Sequence, residues 1–214
     1  ANCVRLKFPD LLPEVIVDVG CTIGHNTLPW KETFSSAEVY GLDLAGPCLQ
    51  YAHARAEAMN IKAHFRQASA QELPFNDESV DILFSSMFLH EMPVKEIRKF
   101  MDETFRVLKK GGVMIHMELP PNDSLSPYDA FYLDWDSYYN NEPFYKTFRD
   151  LGYRDLCSTA GFHEKSFFES VMPRFTYVSE EFFEAAVSAD ASFDENTGRL
   201  SDGIQWYGFG SRKD

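Results

Sequence analysis

The 214-residue chain carries 44% hydrophobic and 25% charged residues, a composition that excludes wholesale disorder. Its formal net charge of -13 (20 Lys and Arg against 33 Asp and Glu) repels phosphate backbones, so nucleic acid is not expected as a partner. No apolar run approaches the roughly 18 residues that cross a bilayer, and no signal peptide is visible. The sequence therefore predicts a soluble globular protein with no membrane partner.

The four cysteines, Cys3, Cys21, Cys48 and Cys157, lie far apart and form no C-x-x-C pair. This spacing favours reduced thiols and a cytoplasmic location over a zinc site or a disulfide framework. Only about thirteen residues precede the first predicted strand, and the chain begins at Ala1 without a methionine. We expect almost no helix in that stretch and hypothesise that an N-terminal segment is missing.

Strands and helices alternate through the first half of the chain. The β-branched run Val15–Val19 has the pattern of a strand that is buried on both faces, and a loop with Gly20 and Gly24 follows it. The next elements are predicted at 25–34 (helix), 37–43 (strand), 47–59 (helix), 62–66 (strand) and 80–84 (strand). This alternation favours parallel strands.

The second half begins with the clearest helix, at 93–108, which the pair Gly111-Gly112 is predicted to end. A fifth strand is predicted at 113–119, a helix at 144–160 and two further strands at 165–170 and 205–212. We therefore predict an α/β protein with a doubly wound, mostly parallel seven-stranded sheet and an aromatic-rich insertion after the fifth strand. Ligands of such sheets bind beyond the carboxyl ends of the strands.

Near the end of the first strand, Asp18, Gly20 and Gly24 meet the pattern of an acid, any residue, glycine, three residues and glycine. Later in the chain, Asp43 ends the second strand, LPF and DESVD precede the fourth, and LKKGG precedes the fifth. Together these motifs resemble those of class I S-adenosylmethionine-dependent methyltransferases. The resemblance covers about residues 14–118 and the final strand, and is closest in kind to the broad quinone-biosynthesis group. It implies a Rossmann-like fold, S-adenosylmethionine as cofactor and methyl transfer to a small molecule.

The resemblance implies a set of cofactor-binding residues. Asp18 and Gly20 would serve the methionine end, and glycine at 20 and 24 would let the backbone approach the ligand closely. Asp43 would accept hydrogen bonds from the ribose diol, and Leu44 would pack on the adenine. These five residues are expected to surround the cofactor.

Three further positions belong to this set, and one position departs from the family. Ser69 and Ala70 stand where the family often has an aspartate that reads the adenine amino group, and Ser85 ends the fourth strand. Thr22 stands where the family commonly has glycine, and a β-branched residue restricts the backbone. Either the cofactor approaches the backbone at Gly20 or Gly24, or Thr22 keeps an ordinary β or α conformation. We expect the ligand to touch the backbone at both glycines, with the Thr22 side chain turned aside.

The resemblance divides one domain, 1–214, into three parts. Residues 1–121 would form the cofactor-binding half, 122–160 an aromatic lid for the substrate, and 161–214 the last strands with an acidic loop at 179–203. Two other functions stay open: a catalytically degenerate relative that serves as a binding module, and a nicotinamide-dependent oxidoreductase. The second is disfavoured because the G-x-G-x-x-G fingerprint is absent. A homodimer is possible.

His90, in the loop after the fourth strand, is the candidate general base, because its unperturbed pKa lies near neutrality. A methyl transfer needs a base only if the acceptor carries a proton, since positioning supplies much of the acceleration. His116 and Glu118, with His90 or Glu91, could hold a metal, but we expect core roles for them and no metal.

Aromatic residues dominate the insertion. Tyr128, Phe131, Tyr132 and Trp135 would share one helix face, which is predicted to pack over the sheet as a lid. A sharper hypothesis places part of this surface in the acceptor pocket, together with Glu118 from the fifth strand. The candidate substrate residues are Tyr128, Tyr132, Trp135, Tyr139 and Glu118.

Overall fold

The structure is a computed structural model that describes residues 1–172 and 206–214, so the predicted acidic loop at 179–203 lies outside the described residues. Strands and helices alternate as predicted through most of the chain. In chain order the elements are α1 (Asn2–Lys7), β1 (Val15–Val19), α2 (Thr27–Thr33), β2 (Glu38–Asp43), α3 (Gly46–Ala58), β3 (His64–Gln67), β4 (Val80–Ser86), α4 (Val94–Val107), β5 (Leu108–Glu118), α5 (Pro127–Tyr139), α6 (Tyr145–Arg149), α7 (Tyr153–Thr159), β6 (Phe167–Met172) and β7 (Trp206–Arg212). Short 3-10 turns occupy Leu89–Glu91, Asn122–Ser124 and Glu164–Ser166.

The strands form one seven-stranded sheet in the order β3-β2-β1-β4-β5-β7-β6. β1 lies in the interior of the sheet and pairs in parallel with β2 and β4, so that Val17 stands opposite Tyr40 on one side and Leu83 on the other. β7 runs antiparallel to both β5 and β6. This arrangement confirms the predicted doubly wound, mostly parallel sheet. It also places the switch point, where a ligand crevice is expected, between β1 and β4.

Two apolar cores cover the two faces of the sheet. Neighbouring residues of a strand point to opposite faces, so Ile16 packs in one core with Trp30 while Val17 packs in the other with Phe100. All four residues are fully buried or nearly so. Among the described residues, apolar side chains therefore cover both faces of the sheet.

The predicted role of Gly111-Gly112 as a helix stop is wrong, because both glycines belong to β5. α4 ends at Val107 and β5 begins at once with Leu108, so Gly111-Gly112 lies inside the strand instead of stopping the helix. The ladder between β4 and β5 shifts register between Val80 and Ile82, and Gly111 has a φ of +81° at this irregularity. Glycine supplies a backbone conformation that this bulge needs.

The predicted helix at 144–160 is two helices, α6 and α7, separated at Leu151 and Gly152. Gly152 has an extended ψ of 105°, which no helix interior has. The break lets Phe148 and Tyr153 stack on each other at 5.1 Å, and both are buried. The helix 25–34 is shorter than predicted and begins at Thr27.

The N-terminal stretch contains a helix that was not expected. α1 buries Val4 in the core that also holds Trp30, and the Phe8 ring lies edge-on against Phe168 at 5.2 Å. The expectation of almost no helix before the first strand is therefore wrong for these residues.

The predicted lid packing of the aromatic helix is wrong. α5 is capped by Ser126, whose hydroxyl accepts from the Asp129 amide, but it buries Leu133 and Ser137. Tyr128 is 72% exposed and Phe131 is 66% exposed, so the face that was predicted to cover the sheet points away from the core. Across the described residues, the helices are too short or too polar to span a membrane.

Candidate active site

The loop after β1 is tied to the end of β2. The amides of Gly20 and Cys21 both donate to the Leu42 carbonyl, at 2.8 and 3.0 Å. The Thr22 amide donates to Oδ2 of Asp43 at 2.8 Å. Thr22 reaches this position with a φ of +46°, so the alternative that it keeps an ordinary backbone conformation is wrong. The Asp43 carboxylate attracts the Thr22 amide and thereby favours this left-handed conformation.

Asp43 is the polar centre of this loop pair. Its Oδ1 accepts from the Ala45 amide at 2.8 Å, and its Oδ2 accepts from Thr22. A carboxylate offers about four lone-pair sites, so the two amides fix the group and leave acceptor positions for hydroxyl donors of a ligand. Asp43 is therefore both anchored and chemically available.

A cavity of about 240 Å³ opens beside Asp43, at the carboxyl ends of β1 and β2. Its lining brings together four of the predicted cofactor residues: Gly20, Asp43, Leu44 and Ala70. The other lining residues are Val19, Leu42, Ala68, Gln71, Phe88, Glu91 and Met92. Sequence reasoning missed Phe88, Gln71 and Met92, although Phe88 and Met92 lie in the loop that also carries His90.

The two motif glycines serve different neighbours. A Cβ on Gly20 would lie 2.4 Å from the Phe88 ring, and Gly20 has a φ of +72°. A Cβ on Gly24 would lie 3.1 Å from the Phe65 ring, on the far side of the loop. Gly24 is not part of the cavity lining. The structure therefore places Gly20 at the cavity and Gly24 against the side chain of Phe65 in β3.

Three other predicted cofactor residues stand outside the cavity lining, and each has a polar partner elsewhere. Asp18 is 2% exposed and accepts from the Thr27 hydroxyl at 2.6 Å. Ser69 bonds the side chain of Gln71, which itself lines the cavity. Ser85 is fully buried, and its hydroxyl lies 2.8 Å from Nδ1 of His116.

Burial shifts the pKa of two of these core groups. The pKa of Asp18 rises to about 7, mainly because burial removes water from its charged form. The pKa of His116 falls to about 3 for the same reason. His116 is therefore an uncharged core side chain at physiological pH.

The predicted base His90 and the predicted substrate residue Glu118 form a buried hydrogen-bonded pair. Glu118 Oε2 lies 2.7 Å from His90 Nδ1, and its Oε1 accepts from the amides of Phe88 and Leu89 at 2.8 and 2.6 Å. Burial acts to lower the pKa of His90, but the hydrogen bond and negative charge of Glu118 leave it above its usual value. The end of β5 thus fixes the loop whose Phe88 lines the cavity.

The candidate substrate residues are not gathered at the cavity. Tyr128, Trp135 and Tyr139 are exposed on α5, and Tyr132 packs on the small cluster that contains Leu119 and Leu133. None of these four tyrosine and tryptophan residues lines the cavity beside Gly20.

Comparisons with known proteins agree with this geometry. Residues 16–112 match the family described as a methyltransferase domain. Over this part, the chain is therefore similar in sequence to methyltransferases. It is 34% identical over 109 residues to the demethylmenaquinone methyltransferase of Thermus thermophilus, which is 51% of this chain and 49% of that one. It is 30% identical over 148 residues to the malonyl-[acyl-carrier protein] O-methyltransferase 1 of Coxiella burnetii, which is 69% of this chain and 47% of that one.

A solved structure has a similar fold. An S-adenosylmethionine-dependent methyltransferase of Methanosarcina mazei aligns over 96% of both chains with a TM-score of 0.64 and 20% identity. The curated relatives above are longer, and the matched segments span about half of their length. The family assignment leaves the nicotinamide alternative without support.

The residues at the cavity of this methyltransferase domain fit the family cofactor, S-adenosyl-L-methionine. Leu42, Leu44 and Ala70 give an apolar wall for a purine, and Asp43 keeps acceptors for ribose hydroxyls. Gly20 has no Cβ, and this lets the Phe88 ring pack directly against the loop at the cavity wall. The cavity is smaller than the roughly 300–1,000 Å³ typical of ligand pockets, and Phe88 against Gly20 is the side chain that narrows it.

Proposed function

We propose that the protein transfers a methyl group from S-adenosylmethionine to a small-molecule acceptor. The observation that carries the proposal is the convergence of Gly20, Asp43, Leu44 and Ala70 on one cavity at the carboxyl ends of β1 and β2. Asp43 binds the ribose hydroxyls, Leu44 and Ala70 hold the adenine, and Gly20 admits the methionine portion. The bound cofactor supplies an activated methyl group, so the protein's main task is to orient the acceptor.

The acceptor is assigned to the side of the cavity formed by Phe88, Glu91 and Met92. These residues belong to the loop after β4, which Glu118 fixes through the amides of Phe88 and Leu89. His90 does not line the cavity and stands behind Glu91, with its Nε2 atom 3.6 Å from the Glu91 carboxylate. Glu91 is therefore the ionisable group that an acceptor would meet first.

The cofactor assignment is tested by calorimetric titration of the 214-residue chain with S-adenosylmethionine and with its demethylated product. We expect Asp43→Asn to weaken both affinities by roughly tenfold or more, because it removes the charged acceptor of the ribose hydroxyls. Asp102→Asn, on the exposed face of α4, is the matched control and should bind as the unmodified protein does. Absence of binding, or equal binding by both variants, would contradict the proposal.

The acceptor class is tested by following formation of the demethylated cofactor with phenols, carboxylic acids and amines. Turnover with one class identifies the acceptor atom. Tight binding of the cofactor without turnover of any class would instead favour the degenerate binding module.

A further inference from the structure

A cluster of three potential metal ligands lies beside the candidate active site. His90 and Glu91 are contributed by the 3-10 turn after β4, and Glu142 by the turn between α5 and α6. One ligand atom from each side chain lies within 4.8 Å of the other two. Ligands that stand about 2.1 Å from a cation are separated by roughly 3–4 Å. A small rotation of the two glutamates closes the remaining gap, since Glu91 is exposed and Glu142 is only half-buried.

His90 is oriented as a metal-binding histidine is. A carboxylate only accepts hydrogen bonds, so the contact with Glu118 makes Nδ1 the donor and leaves the lone pair of a neutral ring on Nε2. The His90 side chain is only 5% exposed, and the Tyr145 ring holds it edge-on at 4.8 Å. In metal sites, a carboxylate that does not bind the ion itself usually fixes the tautomer and orientation of the histidine ligand.

The Nε2 atom points into the cluster and has no hydrogen bond among residues 1–172 and 206–214. Its nearest recorded partner is Oε1 of Glu91 at 3.6 Å, which is beyond hydrogen-bonding distance. The geometry therefore leaves an oriented donor atom facing two carboxylates.

The local charge also favours a cation. Glu91, Glu118 and Glu142 surround one imidazole, and Glu142 forms no ion pair in the described part of the chain. The neighbouring cations Lys146 and Arg149 are both paired with Asp134. Three carboxylates with one histidine are left with a negative charge that a divalent ion would balance.

We propose that His90, Glu91 and Glu142 bind one divalent transition-metal ion. One imidazole with two carboxylates suits Mn²⁺, Fe²⁺, Co²⁺ or Zn²⁺ better than Mg²⁺ or Ca²⁺, and water fills the remaining positions. Glu91 also lines the cavity, so the ion holds an oxygen of the acceptor at that wall. This second part rests on the proposed methyl transfer, whereas the binding of the metal does not. Glu142 is the ligand that sequence reasoning missed, because it comes from a distant turn.

The experiment is a titration of the metal-free 214-residue chain with Mn²⁺, followed by the paramagnetic resonance signal of the free ion. We expect one ion per chain. Glu142→Gln should weaken binding by roughly tenfold or more. This change leaves the local fold in place, because the Glu142 backbone amide, not its side chain, bonds the Ser137 carbonyl. Circular dichroism checks that the variant is folded.

The matched control is Glu57→Gln. Glu57 lies 3.4 Å from His53 on the exposed face of α3, and among the described residues this histidine–glutamate pair has no third metal-binding side chain beside it. The Glu57→Gln variant should bind Mn²⁺ as tightly as the unmodified chain does. A Co²⁺ complex whose visible absorption is altered by Glu142→Gln but not by Glu57→Gln gives a second readout.

The proposal is overturned if the free Mn²⁺ signal is undiminished at millimolar ion, or if Glu142→Gln binds as tightly as the unmodified chain. The metal titration contains no cofactor, and cofactor binding is measured separately in the presence of a chelator. Failure of the metal site and failure of the methyltransferase proposal are thereby distinguished.

Discussion

Asp18 ends up in a position where its charge is costly. It is buried in the interior of the sheet, and the loss of water raises its pKa to about 7. The nearby charge of Asp43 adds to the rise, whereas the Thr27 hydroxyl and the Ala1 amino group oppose it. Between about pH 4 and pH 7 the folded state therefore keeps a proton that the unfolded state has lost. Raising the pH through this range favours unfolding.

We expect Asp18→Asn to remove this pH dependence. Asparagine still accepts from the Thr27 hydroxyl, but it has no charge to bury. Between about pH 4 and pH 7, the free energy of unfolding of the unmodified protein should fall by roughly a few kcal/mol relative to that of the variant. Denaturant unfolding followed by circular dichroism measures it, with Asp102→Asn as the exposed control. Parallel pH profiles for Asp18→Asn and the unmodified protein would contradict this account.

Single residues were predicted well where the backbone alone decides their place. Gly20 and Asp43 follow strands whose carboxyl ends meet at one edge, so their convergence could be expected from the order of the elements. Thr22 could not be predicted, because its left-handed φ depends on a carboxylate 21 positions away. Gly24 was assigned to the ligand for its residue type, but the Phe65 ring occupies that side of the loop.

α5 shows how periodicity identifies a helix but not its buried face. We expect Leu133→Ala to lower the free energy of unfolding by about 2–5 kcal/mol, because Leu133 is 2% exposed and packs with Leu119 and Tyr145. Phe131→Ala should change it by about 0.5 kcal/mol or less, since Phe131 is 66% exposed. Denaturant unfolding of both variants measures the contrast. A larger loss of unfolding free energy from Phe131→Ala than from Leu133→Ala would support the predicted packing of the aromatic face over the sheet.

The aromatic pattern was misleading because large rings dominate any hydrophobicity count. Only Leu133 and Ser137 of this helix are buried, and neither stands out among the aromatic residues around them. The division of 144–160 into α6 and α7 was missed for a similar reason. The stacking of Phe148 on Tyr153 across Gly152 is a tertiary contact that has no local signal.

The topology of the whole sheet was predictable because alternating strands and helices leave few parallel arrangements. The sheet topology also determines which loops border a bound ligand. The ends of β1, β2 and β4 lie at one edge, and the cavity draws residues from the loops that follow all three. The turn that leads into β4 and the first residues of β5 lie at the opposite edge.

Hydrogen exchange in the presence of saturating S-adenosylmethionine tests this placement across the molecule. We expect slower exchange of the amides in segments 20–22, 43–45, 68–71 and 88–92, because these loops border the cavity and a bound ligand stabilises them against local opening. Exchange in 76–79 and 109–111, at the other edge, should be unchanged beyond the effect of global stabilisation. The Asp43→Asn variant should lose the protection at the same cofactor concentration. Protection confined to α5 would place the cofactor at the exposed aromatic face instead, because only a ligand bound there would slow exchange in that helix alone.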